Sequence, residues 1–484
     1  MVRTRKLAGA ALAAALVVGG LTAGSAVASA TGSTCGGTGT ATTVNGALQD
    51  GATYIIQCPS GTWNGTLFLY SHGYVTPTPS TPNPAMDVGD PITGAYLLSH
   101  GFALAGSSYA TKGWAIQQAL PDQVNTLNAF DQAFGKPRTT IAWGHSLGGI
   151  ITAGLIQDYP NLFNAALPMC GVLSGGVATW NTALDAAFAF QQLIDPKVQV
   201  VNIGSNADAT ANLTEGETAV AAAQQTAAGR ARLALVAALG DTPGWFTPLS
   251  PEPAATDYAA QEQNQFLWDT EVTFPFVLAF RAELEARAGG NVSWNTGVNY
   301  FADLAKSVDL KEVTALYKTA GLSLTKDLVT LNSAPRISAK PSAVAYLAKY
   351  ISFNGDISIP VLSMHTTGDG LVVPENEQAY KSVVDRDGNG NLLRQIFVNR
   401  AGHCAFTPAE TITAAQTLLN RLATGHWNVP SPAGLNAEAA ALGSTYNVFT
   451  GATSTVAPAF ISYTPARYLR PFDLPPALPF IPVP

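Results

Sequence analysis

The sequence predicts an α/β fold in which a mostly parallel central sheet is interrupted by one large helical insertion. Three observations predict it. Before residue 175, short and uniformly apolar segments alternate with helical ones, as strands covered on both faces require. From 175 to 358 the chain is rich in alanine and leucine, as in TAVAAAQQTAAGRARLALVAAL and FVLAFRAELEARAG, and such stretches favour helix. Strand signals then return at 360–365 and 393–398. One interrupted sheet explains that late return better than two domains in series.

Taken in order, residues 1–30 read as an export leader. Arg3, Arg5 and Lys6 precede an apolar run, and Ala28, Ser29 and Ala30 supply the small residues for cleavage before Thr31. Residues 31–174 form the first part of the sheet domain. TLFLYS (66–71), FALAGS (102–107), TTIAW (139–143) and NAALPM (164–169) are its strands. Helices are expected at about 115–134, with Pro121 bending the first, and at 148–158. The helical insertion covers 175–358, and 359–425 completes the sheet domain with PVLSMH, LRQIFV and a helix near 407–422. The stretch 426–484, rich in proline, serine, threonine and aromatics, is expected to wrap the core or rim the site.

Composition narrows the partners. The chain carries 25 Lys+Arg against 32 Asp+Glu, and loss of the leader makes it more acidic still. Such a surface disfavours nucleic acid and anionic membranes. No segment after the leader reads as a membrane span. Cys35, Cys58, Cys170 and Cys404 are an even set in an exported chain, which allows three pairings. We favour Cys35–Cys58 and Cys170–Cys404. The second pair follows from position: Cys170 ends the strand after the Ser146 helix, and Cys404 follows His403, so both belong near one edge of the sheet. The four positions lack CxxC spacing, so no metal is expected there.

The strongest local signal is Gly144-His145-Ser146-Leu147-Gly148, followed by Gly149, between a strand and a helix. A nucleophilic serine needs such a turn, with small neighbours that let backbone pass and a helix N-terminus facing the developing charge. A hydroxyl also needs a base, and the base an orienting acid. Asp369 follows the strand PVLSMH, and His403 follows LRQIFV. Both therefore sit where an open parallel sheet places its chemistry. Ser146, Asp369 and His403 are the candidate triad. The backbone N–H groups of Leu147 and of Tyr74, after the strand-ending SHG, are candidate oxyanion donors. Among the other histidines, His145 is expected to point away and His365 to pack in the core, while His100 and His426 lack context. Asp356 and Glu375 are weaker candidates for the acid. DRDGNGN (385–391) imitates a calcium loop but has Ile396 where the last ligand belongs, so it reads as a turn.

The motifs SHG (71–73), GHSLGG (144–149), TTGDGLV (366–372) and AGHC (401–404) together resemble the α/β-hydrolase superfamily, over roughly 60–170 and 358–425. GFALAGSSYATKGWAI (101–116) is similar to secreted actinobacterial hydrolases. A narrower likeness is to tannases and feruloyl esterases, in which a cysteine before the nucleophile is joined to one just after the histidine. This chain has the second cysteine, Cys404, but His145 where the first belongs, and Cys170 stands as its substitute. The resemblance implies no cofactor, a helical lid, and hydrolysis of carboxylic esters in small or polymer-attached substrates. Trp245, Phe246, Phe266, Trp268, Phe274 and Phe276 could line an aryl pocket. The other readings are a lipase-like acyl esterase, a peptidase holding an amine on Glu215, Glu217, Glu262 or Glu271, and an inactive binding relative.

Overall fold

The computed structural model describes residues 34–37, 39–449 and 454–472, so the expected leader and residues 473–484 lie outside the described residues. Nine strands form one sheet: β1 (Thr42–Ala47), β2 (Thr53–Cys58), β3 (Thr66–Ser71), β4 (Ala103–Ser107), β5 (Thr139–His145), β6 (Ala165–Met169), β7 (Val361–Gly368), β8 (Leu393–Ala401) and β9 (Phe460–Ile461). Their order is β1-β2-β4-β3-β5-β6-β7-β8-β9. From β4 to β8 every pairing is parallel. The two edges are antiparallel. With helices on both faces and a helical insertion between β6 and β7, this is an α/β-hydrolase fold.

The central strands are buried along their whole length because helices cover both faces. Side chains alternate between two cores. Leu67, Leu69, Ala105 and Ala142 face one core, which includes residues of α2 (Ile116–Phe134) and α3 (Leu147–Asp158). Phe68, Tyr70, Leu104 and Trp143 face the other, with Leu97, Ala415 and Leu418. The β1–β2 hairpin was not expected. β1 alternates between exposed and half-buried residues, so it carries little apolar signal. The disulfide Cys35–Cys58 ties the chain before β1 to the end of β2.

Between β6 and β7 the chain is helical, from Gly176–Leu193 to Pro341–Lys349. These helices own a separate core that includes Phe188, Phe190, Val220, Leu235, Phe274, Tyr300 and Tyr317. Alanine and leucine drive Ala227–Leu239, and Thr226 caps it by accepting from Gly229 N–H. A wider, π-helical path runs through Asp269–Thr273 and Pro275–Phe280. Pro275 has no N–H to donate, and insertions of this kind redirect side chains at functional sites. The C-terminal segment crosses back over the molecule. β9 pairs with β8, and Arg470 forms an ion pair with Asp185 of the insertion.

The insertion also buries acidic side chains. Burial holds Glu262 and Asp269 up at about 7 and Glu312 at about 8. A carboxyl whose pKa is raised on folding binds its proton more tightly in the native state. Its stabilising contribution is therefore present at low pH and lost as pH rises from about 4 through about 7 or 8. Glu312→Gln, which removes the charge and keeps an acceptor for Gln265, should leave the melting temperature at pH 5 nearly unchanged. At pH 8.5 it should raise it by a few degrees, as read by calorimetry at the two pH values.

Candidate active site

Each candidate side chain sits at the carboxyl edge of a parallel strand. β5 ends at His145, and Ser146 follows with φ 60° and ψ −123° before α3 begins at Leu147. A non-glycine residue rarely adopts this conformation. The neighbours explain how it is held. A Cβ at Gly144 or at Gly148 would collide with the carbonyl oxygen of Ser71 at the end of β3. Ser146 N–H donates to Met169 O at 3.0 Å, which pins the turn from the other side. The Ser146 hydroxyl does not cap α3 and stays free for another partner.

That partner is His403. Its Nε2 lies 2.8 Å from Ser146 Oγ and its Nδ1 2.7 Å from Asp369 Oδ2. Asp369 is fully buried, and its Oδ1 accepts from the N–H groups of Leu371 and Val372 at 3.0 Å each. The two loops are stitched together: Gly402 N–H donates to Gly368 O at 3.0 Å, and Thr366 Oγ1 to Gly402 O at 2.8 Å. The structure thus brings Ser146, His403 and Asp369 into one hydrogen-bonded line from three separate strand ends. Leu147 is the first residue of α3, so its N–H has no acceptor within the helix. The turn carrying Tyr74 also borders the serine, since a Cβ at Gly73 would touch Ser146 Cβ at 3.4 Å. His72 holds this turn: it stacks on Tyr109 and bonds Gly73 O at 2.8 Å.

The remaining histidines fall elsewhere. His145 bonds Tyr70 at 3.1 Å and lies against Phe406. Burial, with the nearby His403, lowers its pKa to about 4, so it is neutral. His100 and His426 are exposed. His365 is buried, as expected, but not among apolar groups. Its Nδ1 lies 3.1 Å from Glu377 Oε1, and its Nε2 lies 2.7 Å from Val372 O and 3.6 Å from Asp369 Oδ2. Ser363 and His365 are two apart in a strand buried on both faces. That spacing puts two polar side chains on one side and demands a polar partner, a signal the sequence contained.

Cys170–Cys404 is bonded, joining the end of β6 to the residue after His403. A cavity of about 130 Å³ opens beside Ser146, close to the roughly 150 Å³ that encloses one benzene ring. Its walls are apolar and aromatic: Tyr74, Trp114, Trp180, Phe190, Phe274, Phe276 and Tyr468 are among them. Of the six aromatics anticipated, Phe274 and Phe276 line it. Trp245 and Trp268 instead pack against Gly368 and Gly370, next to Asp369, Phe246 packs edge-on to Trp268, and Phe266 joins the core of the insertion. None of Glu215, Glu217, Glu262 and Glu271 lines the cavity. Glu215 pairs with Lys197, Glu217 and Glu271 are exposed, and Glu262 accepts from Gln224. Asp269 is the single acid among the lining residues, and no lysine or arginine is among them. At 385–391, Asn389 binds Asp387 and Gly355 O. No group of three metal-ligating side chains occurs among the described residues.

No family model matches the chain. An "o-phthalyl amidase" of Xanthobacter agilis is 29% identical over 426 residues, covering 82% of this chain and 90% of that protein. Feruloyl esterase B from Aspergillus oryzae aligns over 80% of both chains at 13% identity, with a TM-score of 0.40. The rice cell wall degrading esterase LipA from Xanthomonas oryzae aligns over 79% of this chain and 87% of its own, at 14% identity and a TM-score of 0.34. The fold assignment rests on the sheet order.

The disulfide supplies a prediction. Cys170 and Cys404 are 234 residues apart, and opening so long a loop releases much unfolded-state entropy. Replacing both by alanine should cost about 2–5 kcal/mol in denaturant unfolding. It should also let the His403 loop drift, lowering kcat more than it raises KM.

Proposed function

We propose that this chain is an exported serine hydrolase that cleaves carboxylic esters with a neutral, aryl-sized acyl group, through an acyl-enzyme at Ser146. The observation that carries the reading is the line Ser146–His403–Asp369 opening onto an apolar cavity. His403 Nε2 accepts the Ser146 proton as Oγ attacks the carbonyl carbon. Asp369 accepts the Nδ1–H bond, which fixes the tautomer and steadies the imidazolium. Leu147 N–H and Tyr74 N–H stabilise the oxyanion. When the tetrahedral adduct collapses, the carbon–oxygen bond to the alcohol breaks, and His403 returns the proton to the leaving alkoxide. Water then repeats the sequence on the acyl-enzyme and releases the acid. Two disulfides accord with export to an oxidising compartment, as does the leader. No described helix is long and apolar enough to cross a membrane.

The size and walls of the cavity favour a single aromatic ring over a long alkyl chain. A second reading is favoured by the amidase of Xanthobacter agilis: the same machinery would cleave an aryl amide. A free phthalyl carboxylate, however, would find no lysine or arginine among the lining residues, so the neutral ester is the first choice. The amine-binding peptidase reading loses its support with the four glutamates away from the cavity.

The test is one panel on the purified protein: p-nitrophenyl acetate, butyrate and decanoate, methyl ferulate, an N-phthalyl amide, and alanyl and prolyl anilides. Aryl esters should be preferred, and Ser146→Ala should lose at least about ten-thousandfold in kcat/KM. Turnover that survives Ser146→Ala would sink the reading. Preference for the phthalyl amide would replace the ester with the amide.

A further inference from the structure

Behind the hydrogen-bonded line lies a second pair of buried groups that the steps above do not use. β7 turns Ser363 and His365 to the same side. Ser363 Oγ donates to Glu377 Oε2 at 2.5 Å, and Gln395 of β8 donates to the same oxygen from Nε2. Glu377 lies in the first turn of the helix Glu375–Arg386. Two donors on one oxygen satisfy Glu377 Oε2 and leave its Oε1 to face His365 Nδ1. The other ring nitrogen of His365 faces Val372 O, which can only accept, so Nε2 carries a proton.

We propose that His365 is a positioning residue for the Ser146 reaction: an imidazolium, held by Glu377 and Val372 O, that stands beside the Asp369 oxygen bonded to His403 and counters its charge. The proposal rests on the reading given above. At 3.6 Å, His365 Nε2 is too far from Asp369 Oδ2 for a hydrogen bond, so its effect on Asp369 is that of a charge. Complete burial alone would depress His365. The bond to Glu377, with the charges of Glu377 and Asp369 and the carbonyl of Val372, outweighs that and raises it above the ordinary histidine value. The other ionisable groups around it are Glu375, which burial pushes up to about 7 against the pull of His365, and Tyr380, which faces Glu377. The positive charge holds the Asp369 carboxyl in place and disfavours a second positive charge in the hydrogen-bonded line.

The test compares kcat/KM against pH for the wild type, His365→Gln and Glu377→Gln, with fluorophosphonate labelling of Ser146 and the melting temperature for each. Loss of the buried cation should move the acid limb up by about half to one pH unit. It should also lower kcat about tenfold to a hundredfold with little change in KM. The double variant should fall no further than the worse single one. Limbs that coincide with the wild type, with activity falling only as the melting temperature falls, would overturn the proposal. Nitrogen-15 spectra of histidine-labelled wild type, with the resonance assigned by its loss in His365→Gln or its shift in Glu377→Gln, read the charge directly. Two protonated ring nitrogens at pH 8 are expected, and a neutral ring at pH 7 overturns the proposal even where Ser146 reacts. An unlabelled wild-type Ser146 would instead refute the parent reading, and the positioning role with it, while the spectra still report the imidazolium.

Discussion

The site depends on one close approach of backbone. The strand ending at Ser71 and the turn Gly144–Gly148 run so near each other that neither glycine can carry a side chain. That contact forces the strand–turn–helix corner, and the corner forces Ser146 to a positive φ. A serine so held cannot cap its own helix, so its hydroxyl projects towards the base. The conformational cost, of order 1–3 kcal/mol, is offset by the two cores that clamp β5 and α3.

Much of this was legible in the sequence, and the reason is geometric. Ser146, Asp369 and His403 each follow a short apolar strand, so a reader who sees the strands sees where their ends must gather. The helical insertion was legible from alanine and leucine runs. The β1–β2 hairpin was not, because its first strand lies at an edge and alternates exposed positions without a strong apolar face. The cavity wall was only half legible. Phe274 and Phe276 were anticipated, while Trp114, Trp180 and Tyr468 come from other elements, the last near the end of the described chain. Composition names aromatics but cannot say which face the cavity, because burial in a helix core and burial around a ligand use the same residues. The role of His365 was hidden for a related reason: its partner Glu377 is twelve residues away, on a helix packed against the strand.

The cavity and the reactive line have different origins. The line is made by strand ends and their loops, tied by Arg400, which is buried between the His403 loop and Glu410 in a two-point ion pair at 2.6 and 2.9 Å. The walls come mainly from the insertion, joined by Tyr74, Trp114 and the loop Gly370–Val373 of the sheet domain and by Tyr468 of the C-terminal segment, where Arg470 reaches Asp185. Chemistry and most of the selectivity thus lie in different parts of the chain. This separation lets one machinery serve an ester or an amide according to what the walls admit.

β6 and β7 are parallel neighbours that pair through Ala166–Val361 and Met169–Met364, so the insertion leaves the carboxyl edge of β6 and crosses back to the amino edge of the strand beside it. Closing a loop costs only about 0.6 kcal/mol more for each doubling of its length. A segment anchored in this way can be lengthened, shortened or exchanged with little penalty to the sheet beneath it. The junction after Met169 is a graft point, where evolution can trade one roof for another while the nucleophile, the base and the acid keep their places.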